Sequence, residues 1–485
     1  MKAGDSLELR HKAFAGVSAL VIRNIFLQPI SFFGFVFLSV FLQTWELGVF
    51  WAVSEVVGFL GYFSDIGLAA AVIQKKKEPG VKELRTIFTI QQLLVLISIA
   101  AAFLLTPFLE RRFDFGSGRF LYWTLLFGFF ASSLKTIPSV LLERKLAFSK
   151  IALIDLVEQL IFTSLAVFLA WKGFSVNSWA WAVLARSLAG LALMYIISPW
   201  PLGISMDIGS VKKLFSFGLP YQINSLLAML KDRLINIFLW GILGSTGVGI
   251  LGWAQKWAAL PARFLMDSVI RVTFPAYAKL QNEKERLKKA LEKSCFLINL
   301  LILPILTGMG YLMPLVVVIF PQYQKWQVGL TPFFWYLGNF GLGVITTPLV
   351  NAFNSVGKVK ITLRLMVFWT LMTWFIVPAL ARIEGVNGAA LGLFLVSGSS
   401  FVAWLLAKRE FGVSFRKILF VPVAGSLLMF LSLIIVDSFL PTGIIKLVAL
   451  TLSGGLVYLA FAYLMARAEF IWLFAVGARW LKRKK

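Results

Sequence analysis

The chain has 485 residues, of which 59% are hydrophobic and only 14% charged, with a mean hydropathy of +0.85; this balance excludes an ordinary soluble domain. Its formal charge of +25 would point to nucleic acid in a soluble protein, but the basic residues gather in short breaks between apolar runs, where positive charge orients a membrane protein. One cysteine, Cys295, excludes an intrachain disulfide and a cysteine-based metal cluster, and one histidine, His11, in a polar N-terminal stretch argues against histidine catalysis.

Apolar stretches long enough to cross the roughly 30 Å hydrocarbon core recur along the chain. They predict an all-α polytopic membrane protein with fourteen helices, at about 14–42, 46–73, 84–109, 119–142, 151–171, 176–198, 217–243, 248–275, 290–319, 328–352, 361–381, 386–407, 418–439 and 443–466. No compact apolar region followed by a small-residue cleavage site precedes the first span, which is therefore expected to be retained.

Charge checks the map. The tails and even-numbered breaks with their adjoining span edges hold 32 Lys and Arg residues, the odd-numbered breaks with theirs seven, so both termini are expected in the cytoplasm. Lys75, Lys76 and Lys77, for example, open the first cytoplasmic loop. The C-terminal segment AEFIWLFAVGARWLKRKK joins aromatics to four late cations, as in a helix lying on an anionic leaflet.

The first two spans are long, and the seventh and eighth repeat that pattern. FLSVFLQTWELGVF (Phe37 to Phe50) aligns without a gap on FLWGILGSTGVGIL (Phe238 to Leu251), sharing Phe37/Phe238, Leu38/Leu239, Leu42/Leu243 and Gly48/Gly249. Each pair opens a block of six spans. The expected organisation is a tail over 1–13, a six-helix bundle over 14–198, a linker over 199–216, a second bundle over 217–407, two extra helices over 408–466 and a basic interfacial tail over 467–485. Two halves around a central cavity are a common transporter plan.

Eight basic residues lie more than three residues inside the edges of expected spans: Arg23, Lys135, Arg186, Lys231, Arg233, Lys256, Arg263 and Arg271. A charge at the bilayer centre costs at least about 2.5 to 3.5 kcal/mol on insertion scales, so such residues usually face a partner or a wet cavity. Lys135 and Arg271, near helix ends, are equally read as snorkelling to the interface. Lys256, Arg263, Asp267 and Arg271 share one face of span eight, with Trp253 about one turn above. That stripe is either a structural ladder neutralising Asp267 or a cationic wall on which Arg263 and Lys256 attract an anionic head group. Lys231, Asp232 and Arg233 are adjacent in span seven and point about 100° apart, so they cannot all face lipid. Arg23 stands beside Asn24 in span one; Pro29, Gly58, Gly61 and Gly67 are read as kink and packing features. Of the acids, Asp65, Asp232 and Asp267 are candidates for ion coupling or structural pairing, Asp65 with Arg23 as its expected partner. Asp155 and Glu158 are read as hydrated at the end of span five.

Four segments carry a family resemblance: FSDIGLAAAVIQKK (Phe63 to Lys76), IPSVLLERKLAF (Ile137 to Phe148), FGLPYQINSLLAMLKDRLINIFLWGILGSTGVGILGWAQKWAALP (Phe217 to Pro261) and VTFPAYAKLQNEKERLKKAL (Val272 to Leu291). In order and spacing they resemble bacterial oligosaccharide flippases of the polysaccharide-biosynthesis family. Its superfamily also holds multidrug and toxin extrusion transporters and lipid II flippases. The resemblance implies two six-helix bundles in a V around a cationic cavity, and movement of polyprenyl-pyrophosphate-linked sugar units to the outer leaflet. It also implies cavity-lining arginines in the first and eighth spans, positions best matched by Arg23 and Arg263.

A substrate-binding set of Arg23, Arg263, Lys256, Arg233, Lys231, Arg186 and Lys135 is therefore expected, with no metal and no cofactor beyond a coupling Na+ or proton. The expected partners are membrane lipids and the glycosyltransferases and polymerase of the pathway, around a monomer. The alternatives are a multidrug or organic-cation exporter, whose cavity should be lined by carboxylates and aromatics, and a membrane polymerase or ligase, which needs a sizeable outer loop. No odd-numbered break exceeds about a dozen residues.

Overall fold

The computed structural model describes the backbone of residues 3–62, 72, 78–112, 118–207, 229 and 233–467, and the side chains from residue 22 onward except those of 112, 264–265, 267–269 and 271–272. The described residues are helical, with no strand among them.

Seven elements among the described residues precede residue 200: α1 Ala3–Phe41, α2 Thr44–Tyr62, α3 Val81–Arg112, α4 Arg119–Leu134, α5 Thr136–Arg144, α6 Phe148–Trp171 and α7 Asn177–Ile197. Then come α8 Ile235–Lys279, α9 Lys284–Ile319, a 3-10 segment Pro321–Gly329, α10 Leu330–Ser355, α11 Val359–Gly398, α12 Phe401–Phe411, α13 Phe415–Asp437 and α14 Ile444–Met465. Every expected span has a described helix within its bounds, span two as far as Tyr62 and span seven from Ile235, the rest of those two lying largely outside the described residues. The turn expected between spans seven and eight is a break within α8 at Gly244 (φ 67°), and the one between spans eleven and twelve a break within α11 at Gly385 (φ 61°). Positive φ costs glycine little, which is why both breaks fall on glycine. By length and composition ten described helical stretches can cross a membrane, or eleven if the bent pair α4 and α5 counts as one.

Two departures have local causes. Helix α1 starts at Ala3, inside the expected polar tail, because no proline interrupts AGDSLELRHKAF. The fourth span bends by 40° between α4 and α5 at Lys135. Pro138 lacks an N–H, so the carbonyl of Leu134, four residues back, loses its helical donor. The hydroxyl of Tyr195 on α7 donates to that carbonyl instead, at 3.0 Å.

The chain divides into two compact units, residues 1–249 and 250–485. In the first, α6 packs on α1 and α7, and α4 on α7. A buried cluster of Leu84, Ile87, Ile90, Ile137, Val140 and Trp200 ties α3 to α5. In the second, α9 packs on α10, α13 and α14, around Phe296, Leu300, Met429, Leu433, Leu450 and Tyr458. Large apolar side chains such as Leu104, Ile196, Phe375 and Ile445 point outward, as expected of surfaces solvated by lipid.

Candidate functional site

The bend at Lys135 turns that lysine toward α6, where its ammonium pairs with Glu158. Glu158 is buried, its side chain 8% exposed, and Lys135 is little more open. This replaces the snorkelling reading of Lys135. The Nε of Arg186 on α7 stands 3.5 Å from the other oxygen of Glu158, with the guanidinium 5.6 Å from the centre of the Phe162 ring. One helical turn beyond Arg186, Gly190 makes the room: a Cβ there would lie 1.6 Å from Glu158 Oε1.

One turn before Glu158 on the same face of α6, Asp155 Oδ2 accepts from Arg23 Nη1 at 2.7 Å. Arg23 also donates from Nε and Nη2 to the Asn24 amide oxygen, at 3.3 and 3.2 Å, which orients the fork. Four elements thus bring together three cations and two carboxylates, Arg23, Lys135, Arg186, Asp155 and Glu158. The net charge is +1. Glu158 and Lys135 form the buried base, while Arg186, with 44% of its side chain exposed, is the accessible end. A guanidinium held in this way can take a phosphate oxygen pair in place of a carboxylate.

A second pair lies in the same unit: Arg233 Nη1 contacts Glu55 Oε2 at 3.2 Å, over Gly58, whose missing Cβ would be 2.2 Å from that nitrogen. In the unit of residues 250–485, Lys256 is half-buried and Arg263 exposed on α8. Trp253 is not part of a cationic wall. It is fully buried, stacked on Trp326 at 5.1 Å.

The structure thus gathers Arg23, Lys135 and Arg186 into one cluster and pairs Arg233 with Glu55 in the same unit, while Lys256 and Arg263 belong to the unit of residues 250–485. Lys231, Asp65 and Asp232 lie outside the described residues, and so do the side chains of Asp267 and Arg271. Arg23 pairs with Asp155, and its expected pairing with Asp65 lies outside the described residues. Asp155 and Glu158, read from the sequence as hydrated helix-end acids, are instead paired with bases, and so is Glu55. The signal was their i,i+3 spacing on one helix in a chain with buried bases to neutralise.

A multi-pass helical chain that holds a net-positive ion cluster within its spans has the build of a membrane transporter. Residues 37–328, more than half of the chain, match the family described as polysaccharide biosynthesis protein, and the chain belongs to that family. It is 24% identical over 430 residues to the lipopolysaccharide biosynthesis protein WzxC of Escherichia coli, covering 85% of this chain and 84% of that one. It is 22% identical over 483 residues to the succinoglycan biosynthesis transport protein ExoT of Rhizobium meliloti, covering 92% and 94%. The fold is that of the lipid II flippase MurJ solved in an inward closed conformation, at 14% identity and a TM-score of 0.76 over 92% of this chain and 98% of that one.

Proposed function

We propose that this chain flips polyprenyl-pyrophosphate-linked oligosaccharide repeat units from the cytoplasmic to the outer leaflet of a bacterial plasma membrane, for surface polysaccharide biosynthesis. The observation that carries the reading is the cluster of Arg23, Lys135 and Arg186 over Asp155 and Glu158, inside spans of a chain of the polysaccharide biosynthesis family.

Such a substrate has a head too polar for lipid and a tail too apolar for water. Arg186 and Arg23 meet the pyrophosphate with forked donors, while the buried pair of Lys135 and Glu158 fixes the helices that carry them. Access alternates by rocking of an N-terminal bundle, residues 14–198, against a C-terminal bundle, residues 217–407. Residues 408–466 add two helices, and the tails, 1–13 and 467–485, lie in the cytoplasm with the linker 199–216. Each anionic charge carried outward releases about 2.3 kcal/mol per 100 mV of inside-negative potential, which drives the cycle. Asp155, the more accessible acid of the cluster, is the seat for a coupling Na+ or proton. The protein works as a monomer beside the glycosyltransferases and polymerase of its pathway.

The test is purified protein in proteoliposomes loaded with polyprenyl-pyrophosphate sugars, with leaflet exposure read by a membrane-impermeant lectin. Protein-dependent appearance of sugar on the far side is expected. Efflux of cationic dyes with no movement of any such lipid would replace this reading by a drug exporter.

A further inference from the structure

The basic ends of α9 and α13 carry a second cationic feature that transport through the cluster above does not use. A cavity of about 390 Å³ opens there, lined by Lys289, Glu292, Lys293 and Phe296 of α9, by Lys417 and Val421 of α13, and by Met465 at the end of α14. On α9 the four positions fall at i, i+3, i+4 and i+7, so they share one face, with the charges in the second and third turns and Phe296 one turn deeper. On α13 the order repeats, Lys417 at the rim and Val421 one turn deeper.

Among the described lining residues three ammoniums stand with one carboxylate, and Glu292 Oε1 also accepts from the backbone N–H of Ser414 at 2.8 Å, which sets it at the start of α13. Helix α13 begins here, so its positive dipole end adds to the field. All three lysines are exposed, whereas Phe296 is buried and packs into the core of α9, α13 and α14. Cations at the rim with apolar side chains directly beneath match a phosphate headgroup followed by acyl chain.

We propose that this cavity seats the phosphate of an anionic membrane phospholipid, its acyl chains running down over Val421 and Met465, and that the bound lipid ties α9 to α13 and α14. The lipid is a resident ligand and not cargo, so the inference stands whatever the chain transports.

Native mass spectrometry of the detergent-solubilised protein with added phosphatidylglycerol tests it. The wild type should retain phosphatidylglycerol in preference to phosphatidylethanolamine. Lys289→Gln and Lys417→Gln should each weaken retention by about five-fold, additively in the double variant. Lys289→Arg with Lys417→Arg should restore it, and Lys360→Gln, which removes an exposed cation at the start of α11, should change nothing. Unaltered retention in the double glutamine variant would overturn the proposal. So would displacement of the lipid by millimolar inorganic phosphate, which marks a free-phosphate site, or by equimolar polyprenyl phosphate, which marks a carrier site.

Discussion

Gly48 and Gly249, the pair that the sequence repeat aligns, meet at the start of α2 and in the first half of α8. A Cβ on Gly48 would lie 1.7 Å from the carbonyl oxygen of Ser245, and one on Gly249 would lie 1.8 Å from that of Thr44. Thr44 and Ser245 are themselves aligned by the repeat, so the contact is reciprocal, as at a local two-fold axis. Both breaks belong to the poorly charged, odd-numbered set. If access alternates, this glycine seam must part in each cycle. Thr44→Cys with Ser245→Cys should therefore cross-link under mild oxidation and bring flipping to background, with recovery on reduction. The native Cys295 is buried and leaves the readout clean. Full activity in the cross-linked protein would remove the seam from the cycle.

Gly190 tests the seat of Glu158. A methyl group at 1.6 Å from Oε1 forces the carboxylate or α7 to move, and overpacking of this kind costs about 1 to 3 kcal/mol. Gly190→Ala should lower the thermal midpoint of the purified protein, while Gly455→Ala, where a Cβ meets nothing within 4 Å, should leave it unchanged. Equal midpoints for the two variants would show that the cluster tolerates repacking.

The pair of Lys135 and Glu158 separates stability from transport. Removing one partner of a buried ion pair strands the other and costs about 3 to 5 kcal/mol, whereas replacing both by apolar residues is often neutral. Glu158→Met is expected to reduce the yield of folded protein, and Lys135→Met with Glu158→Met to recover it. Flipping by the double variant stays low, because Arg186 has lost the carboxylate that positions it. A double variant folded as poorly as the single one counts against the pair as a buried tie.

Arg186→Ala and Arg23→Ala should leave insertion intact and lower flipping by about ten-fold or more, since a charge-assisted hydrogen bond contributes about 1.5 to 3 kcal/mol. Arg263→Ala should abolish polysaccharide export with the protein still inserted. Export assays beside membrane-fraction blots read both, and normal export in any of the three removes that arginine from the substrate path.

Tyr195→Phe leaves the Leu134 carbonyl without its hydroxyl donor at the bend, at a cost of about 1 to 3 kcal/mol. The expected result is a lower thermal midpoint together with faster hydrogen exchange confined to α4 and α5. An unchanged exchange pattern would mean that the bend is held by Pro138 alone.

The sequence by itself determined the membrane class and the place of nearly every helix, because an apolar run has to match the bilayer and a break has to be polar or carry a glycine such as Gly244 or Gly385. It also aligned Gly48 with Gly249 and marked Arg23, Lys135 and Arg186 as charges out of place. Only the tertiary structure decided who answers those charges. Helical periodicity assigns a residue to a face of its own helix, but the neighbour across that face comes from packing between segments 23 to 132 residues apart, as from Lys135 to Glu158 and from Arg23 to Asp155. The same packing withdrew Trp253 from the cationic stripe into a stack with Trp326, and turned Asp155 and Glu158 from hydrated helix-end acids into the counter-charges of the site.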